Sequence, residues 1–328
     1  MATIVDVARL ANVSRVTVTR VLNEPEKVKP TTRARVQKAI KELSYTPNFS
    51  ARSLVSKRSG IVGMLIPDNE SGFFGSVMSV VHKAVNESGR MLVVLEAQGI
   101  EEERKALNKL LDLNCDGLLL YSRYLSGVEI ADKAQQRPFV LIDRHEENCC
   151  CVYFDHFISS YVLAKSVLDA GHRHIGIIAG PNDRRNAIVR LEGALQAVED
   201  AALPDTQVVS RQGNYGQKFG ETATEEILSQ HPHLTALVYL GERMCAGGLK
   251  AIRANNISVP NDLSVVSFDS FNLTEYLVPH INNVVFPIAQ MAELAAEKIL
   301  IALKNKTPDL HSVEVKHQVI GGNSLLNR

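Results

Sequence analysis

Residues 14–23, SRVTVTRVLN, bring two arginines and three hydroxyls within reach of one short helix. Groups of this kind do recognition rather than bond-making. Guanidinium and hydroxyl groups donate to phosphate oxygens and to the acceptor edges of bases. The surroundings share the sign: residues 3–58 hold twelve Lys/Arg against four Asp/Glu, while the rest of the chain holds 24 against 32, and the 328 residues carry 36 of each. A neutral chain sorted in this way has a basic module suited to a polyanion and an acidic body.

Strings that would carry other chemistry are missing. There is no G-x-G-x-x-G, no Walker A string and no H-E-x-x-H, so no enzyme and no cofactor is expected. Five cysteines is an odd count, and the run Cys149-Cys150-Cys151 does not fit metal-finger spacing. That argues against a disulfide framework and leaves two readings of the run, a thiol sensor or a plain strand-edge segment. His172 and His174 flank a strand without a Cys or carboxylate at metal-ligand spacing, so a structural role at a helix end is expected and no metal. No stretch of about 18 apolar residues and no signal-peptide core are present, which predicts a cytoplasmic protein with no membrane partner.

The elements that must position the recognition residues are legible. Thr3 stands before the apolar-periodic run Ile4, Val7, Ala8, Ala11, with Asp6 three residues on. This predicts a capping-box start with an acidic group at the positive end of the helix dipole. Asn12 falls where the chain must turn, and Asn tolerates positive φ. Ser14 is the expected cap of a second helix over 15–22, with Val18, Val21 and Leu22 inward and Arg15, Thr17, Thr19 and Arg20 towards solvent. A polar turn over 23–29 leads to Pro30, which suits the first turn of a third helix running to about Leu43. The three apolar faces close a minimal core and leave the second helix to enter a major groove of duplex DNA. Beyond Pro47-Asn48, residues 50–56 are too few to be helical alone in water.

Residues 59–328 are enough for two globular lobes. Apolar runs predict strands near 61–66, 91–96, 117–121, 139–143, 152–155, 174–179, 208–212, 236–240, 264–269 and 283–286. Amphipathic segments near 73–89, 101–113, 157–171, 187–202, 217–230, 242–255 and 288–304 predict helices between and after them. This alternation implies parallel sheets with helices on both faces, with ligands outside the carboxyl ends of the strands.

Asp6-Val7-Ala8, Val13-Ser14, Thr17-Val18, Arg20-Val21-Leu22-Asn23, Thr32-Arg33, Val36, Ala39-Ile40, Tyr45, Pro47-Asn48 and Ala51-Arg52-Ser53-Leu54 resemble the headpiece of the LacI/GalR family of transcriptional regulators. The body resembles that family's periplasmic-binding-protein-like effector domain through residues 60–67, Phe73-Phe74, Glu101-Glu102-Glu103-Arg104, Cys115-Asp116-Gly117, Gly171-His172, Gly180, Arg190-Leu191 and Val259-Pro260. The run 101–130 is most similar to the galactose and β-glucoside repressor branch. The resemblance implies an all-α helix-turn-helix headpiece over 1–46, a hinge over 47–58, and an α/β effector and dimerisation domain over 59–328. That domain would consist of two doubly wound parallel-sheet lobes, the first about 59–156 and 287–312, the second about 157–286 and 313–328, with the strand near 313–319 in the second. It further implies a homodimeric repressor on a pseudopalindromic operator, controlled by a small effector, a sugar or sugar derivative, and serving carbohydrate metabolism.

By the same resemblance, DNA contacts fall to Thr3, Ser14, Arg15, Val16, Thr17, Thr19, Arg20, Asn23, Thr32, Asn48, Ala51, Arg52 and Leu54. Arg15, Val16 and Arg20 would face base edges, where an arginine binds guanine O6 and N7 in bidentate fashion. Leu54 would wedge into the minor groove from a hinge helix formed on DNA. Effector contacts fall to Asn69, Phe74, Tyr121, Asp143, Arg190, Tyr215, Asp269 and Phe286, a set whose carboxylates, guanidinium and aromatic rings suit a polyol.

The departures bear on specificity. Lys29 stands where the family has a helix-capping Ser, a loss of about 1 kcal/mol. Gly241-Glu242 replaces the family's Asn-Asp, and Ser270 a second acidic residue. Three readings stay open: a ligand other than the usual hexose, a polar contact supplied instead by Arg123 or Arg144, or a regulator with weak or no effector dependence. A solute-binding protein shares the body's architecture, but would need an export signal where this chain has a basic headpiece.

Overall fold

The structure, a computed structural model, describes residues 2–23, 25–45, 58–67, 72–305 and 311–328. Asn48, Ala51, Arg52, Leu54 and Asn69, and the side chain of Asn23, lie outside the described residues. Two compact units divide the chain, Met1–Gly60 and Ile61–Arg328.

The first unit is helical. Helix α1 (Ile4–Leu10) starts with a full capping box. The Asp6 amide donates to Thr3 Oγ1 at 3.4 Å, and the Thr3 amide donates to Asp6 Oδ2 at 2.9 Å. Asn12 turns the chain at φ 48°. Helix α2 (Arg15–Asn23) follows, its first turn tied by the Thr17 amide donating to Ser14 Oγ at 3.2 Å. A 3-10 turn over Pro25–Lys27 leads into α3 (Pro30–Glu42), where Lys29 at the cap position makes no side-chain bond. Val7, Val18 and Val36 have no exposed surface and close the core with Val21 and Ala39. Each such valine contributes roughly 1.5 to 3 kcal/mol by burial.

The second unit carries two six-stranded sheets. Strands β1 (Ile61–Ile66), β2 (Met91–Glu96), β3 (Gly117–Leu120), β4 (Phe139–Ile142), β5 (Cys151–Phe154) and β11 (Val313–Val315) form the first, in the order β11-β5-β4-β3-β1-β2. Strands β6 (His174–Ala179), β7 (Gln207–Gln212), β8 (Ala236–Tyr239), β9 (Ser264–Asp269), β10 (Asn282–Val285) and β12 (Gln318–Ile320) form the second, in the order β12-β10-β9-β8-β6-β7. All pairings are parallel except that of β10 with β12. Central strands such as β3 and β8 are buried along their whole length, as continuous Leu and Val runs require when helices cover both faces.

Helices α4 (Gly72–Glu87) and α11 (Ile288–Asn305) share a core with the first sheet through Val77, Val81, Met291 and Ala295. Its other core takes Leu107 and Leu110 from α5 (Ile100–Asp112) and Ile130 from α6 (Gly127–Ala134), a helix the periodicity did not reveal. On the second sheet, α7 (His156–Asp169) and α8 (Arg185–Ala201) belong to one core, and α9 (Gln217–Gln230) and α10 (Glu242–Ala254) to another.

The chain crosses between lobes after β5, after β10 and after β11. The last crossing corrects the expected boundary at 313 and the single strand near 313–319. Val313–Val315 pairs with β5 in the first lobe, and only Gln318–Ile320 reaches the second. Two apolar stretches separated by Lys316-His317 read as one strand in the sequence, and only the partners available at each sheet edge divide them.

Candidate functional site

On α2 the inward valines leave Arg15, Val16 and Arg20 exposed, Val16 by 66 %. An uncovered branched apolar side chain beside two arginines fits a groove floor that mixes thymine methyls with guanine acceptors. The hydroxyls behave differently. Thr19 Oγ1 donates to the Arg15 carbonyl at 3.1 Å, Thr17 Oγ1 lies 2.9 Å from Ser14 Oγ, and Thr3 Oγ1 donates to Asp6 Oδ2 at 2.7 Å. All three serve their own helix starts or turns, so a contact to phosphate from them requires rotation. Thr3 in particular is a capping residue here. A polar recess of about 450 Å³ gathers Ser14, Thr17, Arg20 and Thr32, and with them Lys27, Lys29 and Arg35. Sequence reasoning placed none of these three among the DNA contacts and noted Lys29 only as a missing cap; the signal for them was the general basic charge of the turn and third helix.

The second site lies at the carboxyl ends of the two sheets. Tyr121 follows β3, Asp143 follows β4, and His156 opens α7 just past the first crossing. Arg190 lies on α8, Tyr215 between β7 and α9, and Asp269 at the end of β9. Four of these residues form one hydrogen-bonded chain. Tyr121 Oη donates to Asp143 Oδ2 at 2.6 Å, and Asp143 Oδ1 lies 3.0 Å from His156 Nε2. Arg190 Nε donates to His156 Nδ1 at 3.1 Å, and Arg190 Nη1 to the Leu240 carbonyl at 3.0 Å. A guanidinium can only donate, so Nδ1 is the acceptor and the imidazole proton sits on Nε2, facing Asp143. Burial holds His156 below its ordinary pKa, against the pull of Asp143, which agrees with this neutral tautomer. Burial, with Asp143 adding to it, raises the Tyr121 phenol well above its ordinary range. The chain therefore runs from the first lobe through the crossing into the second. His156, at its centre, carried no signal in the sequence beyond being a histidine after a strand.

Aromatic rings surround it. Phe74 meets Tyr121 edge-on at 4.8 Å, Phe286 lies 4.4 Å from Phe154, and the Arg190 guanidinium stacks 3.8 Å over Phe268. Phe74 and Phe286 are buried to 3 % and 2 % exposure, so both act as wall more than as open surface. Tyr215 takes φ 60°, an uncommon conformation for a bulky residue. A Cβ at Gly180 would collide with its ring at 2.2 Å, and one at Gly241 would press on it at 3.0 Å. The two glycines thus give the ring its place, and the bare Gly241 exchanges a polar arm for an aromatic neighbour.

Asp269, expected at the effector, is engaged by its own loop in this structure. Its Oδ1 accepts from the amides of Phe271 and Leu273, and its Oδ2 from the amide and hydroxyl of Thr274. A carboxylate offers about four acceptor positions, and all four hold the loop that follows β9. Arg144 is nine-tenths buried; it donates to the Leu125 carbonyl at 2.7 Å and pairs with Glu146 at 3.2 Å. Glu242, unremarked beyond its departure from the family, is buried at 6 % exposure. Burial pushes its carboxyl up to about 7, with Asp269 adding to the effect.

The weak signals resolve into structure. His172 Nε2 lies 3.0 Å from the Leu326 carbonyl and Nδ1 2.9 Å from Thr235 Oγ1. Cys149, Cys150 and Cys151 are all buried, and β5, which begins at Cys151, lies inside the sheet between β4 and β11 rather than at its edge. Burial raises the Cys149 thiol, and a buried, protonated thiol is a poor nucleophile. Among the described residues no helix is long and apolar enough to cross a membrane.

A basic helix-turn-helix unit in one chain with a two-lobed α/β binding fold defines a class, that of DNA-binding transcriptional regulators with an effector domain. Residues 3–48 match the lacI family of bacterial regulatory proteins, and residues 164–325 a periplasmic binding protein-like domain. The chain is 32 % identical over 306 residues to the transcriptional regulator GalS of Salmonella typhimurium, covering 92 % of this chain and 89 % of that one. It is also 32 % identical over 328 residues to the transcriptional repressor PurR of Salmonella paratyphi B, covering 98 % and 96 %. Its fold matches a Lac repressor dimer bound to operator and the anti-inducer ONPF, with TM-score 0.87, 22 % identity and 99 % of both chains covered. It also matches a complex of the regulator CelR with cellobiose, with TM-score 0.71, 26 % identity and 99 % and 100 % covered. The protein belongs to the LacI family, whose members regulate transcription and are not enzymes.

Proposed function

We propose that the protein is a homodimeric operator-binding repressor of the cytoplasm, whose hold on DNA is set by a small ligand, a sugar or sugar derivative, in the cleft between its lobes. The observation that carries the DNA half is the outer row of α2, where Arg15, Val16 and Arg20 project from a helix whose other face is locked by Val18 and Val21. In this reading Arg15, Val16 and Arg20 read bases. Ser14, Thr17, Thr19, Asn23 and Thr32, with Lys27, Lys29 and Arg35, hold phosphates, and Asn48, Ala51, Arg52 and Leu54 belong to a hinge over 47–58. Two-fold pairing of such headpieces calls for a pseudopalindromic site, and the operator-bound Lac repressor dimer among the similar structures supports it.

The ligand half rests on the polar chain from Tyr121 to Arg190, which joins both lobes at the strand ends. A compound that competes for Asp143 or Arg190 changes how the lobes are held. It can alter DNA affinity only if it binds one lobe geometry better than the other. Cellobiose in the similar CelR complex supports a sugar.

Selection of random duplexes by the purified full-length protein tests the first half. A two-fold symmetric sequence is expected to emerge, and Arg15→Ala with Arg20→Ala is expected to relax preference at its defined positions by about 1–3 kcal/mol each. If the protein enriches no sequence over random competitor at moderate salt, the reading fails.

A further inference from the structure

The three crossings between the lobes meet at one place, the first turn of α7. The crossing after β5 runs straight into it through Asp155, whose Oδ1 accepts from the Ile158 amide at 2.9 Å and caps the helix. The crossing after β10 passes it at Phe286, which lies edge-on to the His156 ring at 5.4 Å and 4.4 Å from Phe154. The crossing after β11 is tied to it by His317. Ser159 Oγ donates its one proton to the Asp155 carbonyl at 2.6 Å, so it accepts from His317 Nδ1 at 3.2 Å.

His156, on the same turn, joins polar groups of the two lobes. Its side chain is 6 % exposed and that of Asp143 1 %. Asp143 belongs to the first lobe, His156 and Arg190 to the second. The 3.0 Å contact of Nε2 with Asp143 Oδ1 therefore crosses between lobes, while the 3.1 Å bond from Arg190 stays within one. A lysine or arginine at this position would only donate, and an ionised carboxylate only accept. The neutral imidazole does both, from opposite sides of one rigid ring. Gly193 lets α8 come close enough to deliver Arg190, three residues earlier on the same face, because a Cβ there would collide with the Phe157 carbonyl.

The rings of Phe154, Phe268 and Phe286 pack around His156, but apolar contact is non-directional and tolerates sliding. A hydrogen bond fixes position more sharply, since it weakens steeply with angle and distance. Loss of Asp143 or Arg190 to another partner leaves a buried donor or acceptor on His156 unpaired, which is costly. The turn on which the crossings converge then loses its polar tie to the first lobe.

Building on the reading of this cleft as the ligand site, we propose that His156 is the positioning residue that couples the lobes. It holds Asp143 of the first lobe to Arg190 of the second and makes the three crossings move as one. A ligand group that engages Asp143 or Arg190 breaks this joint and frees them. The charged and titratable groups around the ring are Asp143 after β4, Arg190 on α8, Asp155 ahead of α7 and, one bond further on, Tyr121 after β3. From β5, β9 and the end of β10 it meets the rings of Phe154, Phe268 and Phe286. Burial holds the joined imidazole below its ordinary 6.5, whereas one released to water titrates near that value. The released state binds the proton more tightly, so the joint is kept in full above about pH 6.5 and weakens as pH falls below it.

Hydrogen exchange of the full-length protein tests this, with peptides spanning 154–158, 285–288 and 315–318 compared with the interiors of β3 and β8. The readout needs neither ligand nor operator, so a failure here is a failure of the coupling and not of the ligand reading. At pH 8, His156→Leu is expected to lower protection at all three crossings at least tenfold and to leave β3 and β8 unchanged. His156→Gln, which keeps one donor and one acceptor, is expected to restore it. Wild type is expected to lose protection at the crossings between pH 8 and pH 5.5, after correction for the intrinsic exchange rate. His156→Gln is expected to keep its protection over that range, because an amide does not titrate. A merely structural role for the ring would produce no pH response that this variant removes. Should His156→Leu lose protection throughout both sheets, the pH response of wild type against His156→Gln carries the test. Equal protection of the crossings in wild type and His156→Leu, or one pH response shared by wild type and His156→Gln, overturns the proposal.

Discussion

On α2 the guanidinium groups of Arg15 and Arg20 stand in solvent, whereas in the cleft Arg190 is 5 % exposed, stacked on Phe268 and bonded to His156 and Leu240. The same side chain is prepared for two kinds of partner. A DNA-facing arginine gives up only water and counterions, so it can wait unengaged in a high-dielectric surface. Inside the cleft an unpaired charge would cost far more, so the protein supplies partners of its own until a ligand replaces them. Binding at the headpiece adds contacts. Binding in the cleft exchanges them, and exchange is what lets a ligand alter how two lobes are held.

The contrast can be broken most forcefully at Asp269. Asp269→Ala strands three amides and a hydroxyl in the loop after β9 and is expected to cost about 3 kcal/mol or more in the melting of the body. If instead stability holds and only ligand affinity falls, Asp269 faces the ligand and the cleft is less self-contained than its geometry indicates.

Glu242 sharpens the comparison through pH. Its folded pKa of about 7 lies above the ordinary 4.5, so the folded state holds this proton more tightly than the unfolded chain. Stability then falls as pH rises from about 4.5 towards 7 and stays reduced above it. Glu242→Gln is expected to melt much like the wild type near pH 5 and higher at pH 8, by up to ~3 kcal/mol. An equal gap at both pH values would remove the buried ionisation from the account.

The smallest effect belongs to the headpiece. Ser14→Ala removes the cap of α2 and is expected to cost about 1 kcal/mol in the headpiece transition, with the body's transition unmoved. A change in the body's melting would show that the two units do not unfold independently.

Much of this was legible in the residues because its causes are local. The Thr3–Asp6 capping box, the turn at Asn12, the Ser14 cap and the missing cap at Lys29 each depend on neighbours within a few positions. Strand and helix placement followed from apolar runs and their periods, and the charge imbalance of residues 3–58 needed no fold at all. Family motifs then carried the cleft positions of Tyr121, Asp143, Arg190 and Tyr215, although not what those side chains do there.

Within the described residues, tertiary structure alone decided the rest. The sequence determined that a basic helical module precedes a two-lobed α/β body and which residues line its strand ends. It could not say that Asp269 turns back on its own loop, that His156 links Asp143 to Arg190, or that 313–320 divides between two sheets. Those outcomes depend on which groups desolvation leaves within hydrogen-bonding reach of one another once the lobes have packed. Local periodicity holds no record of that distance.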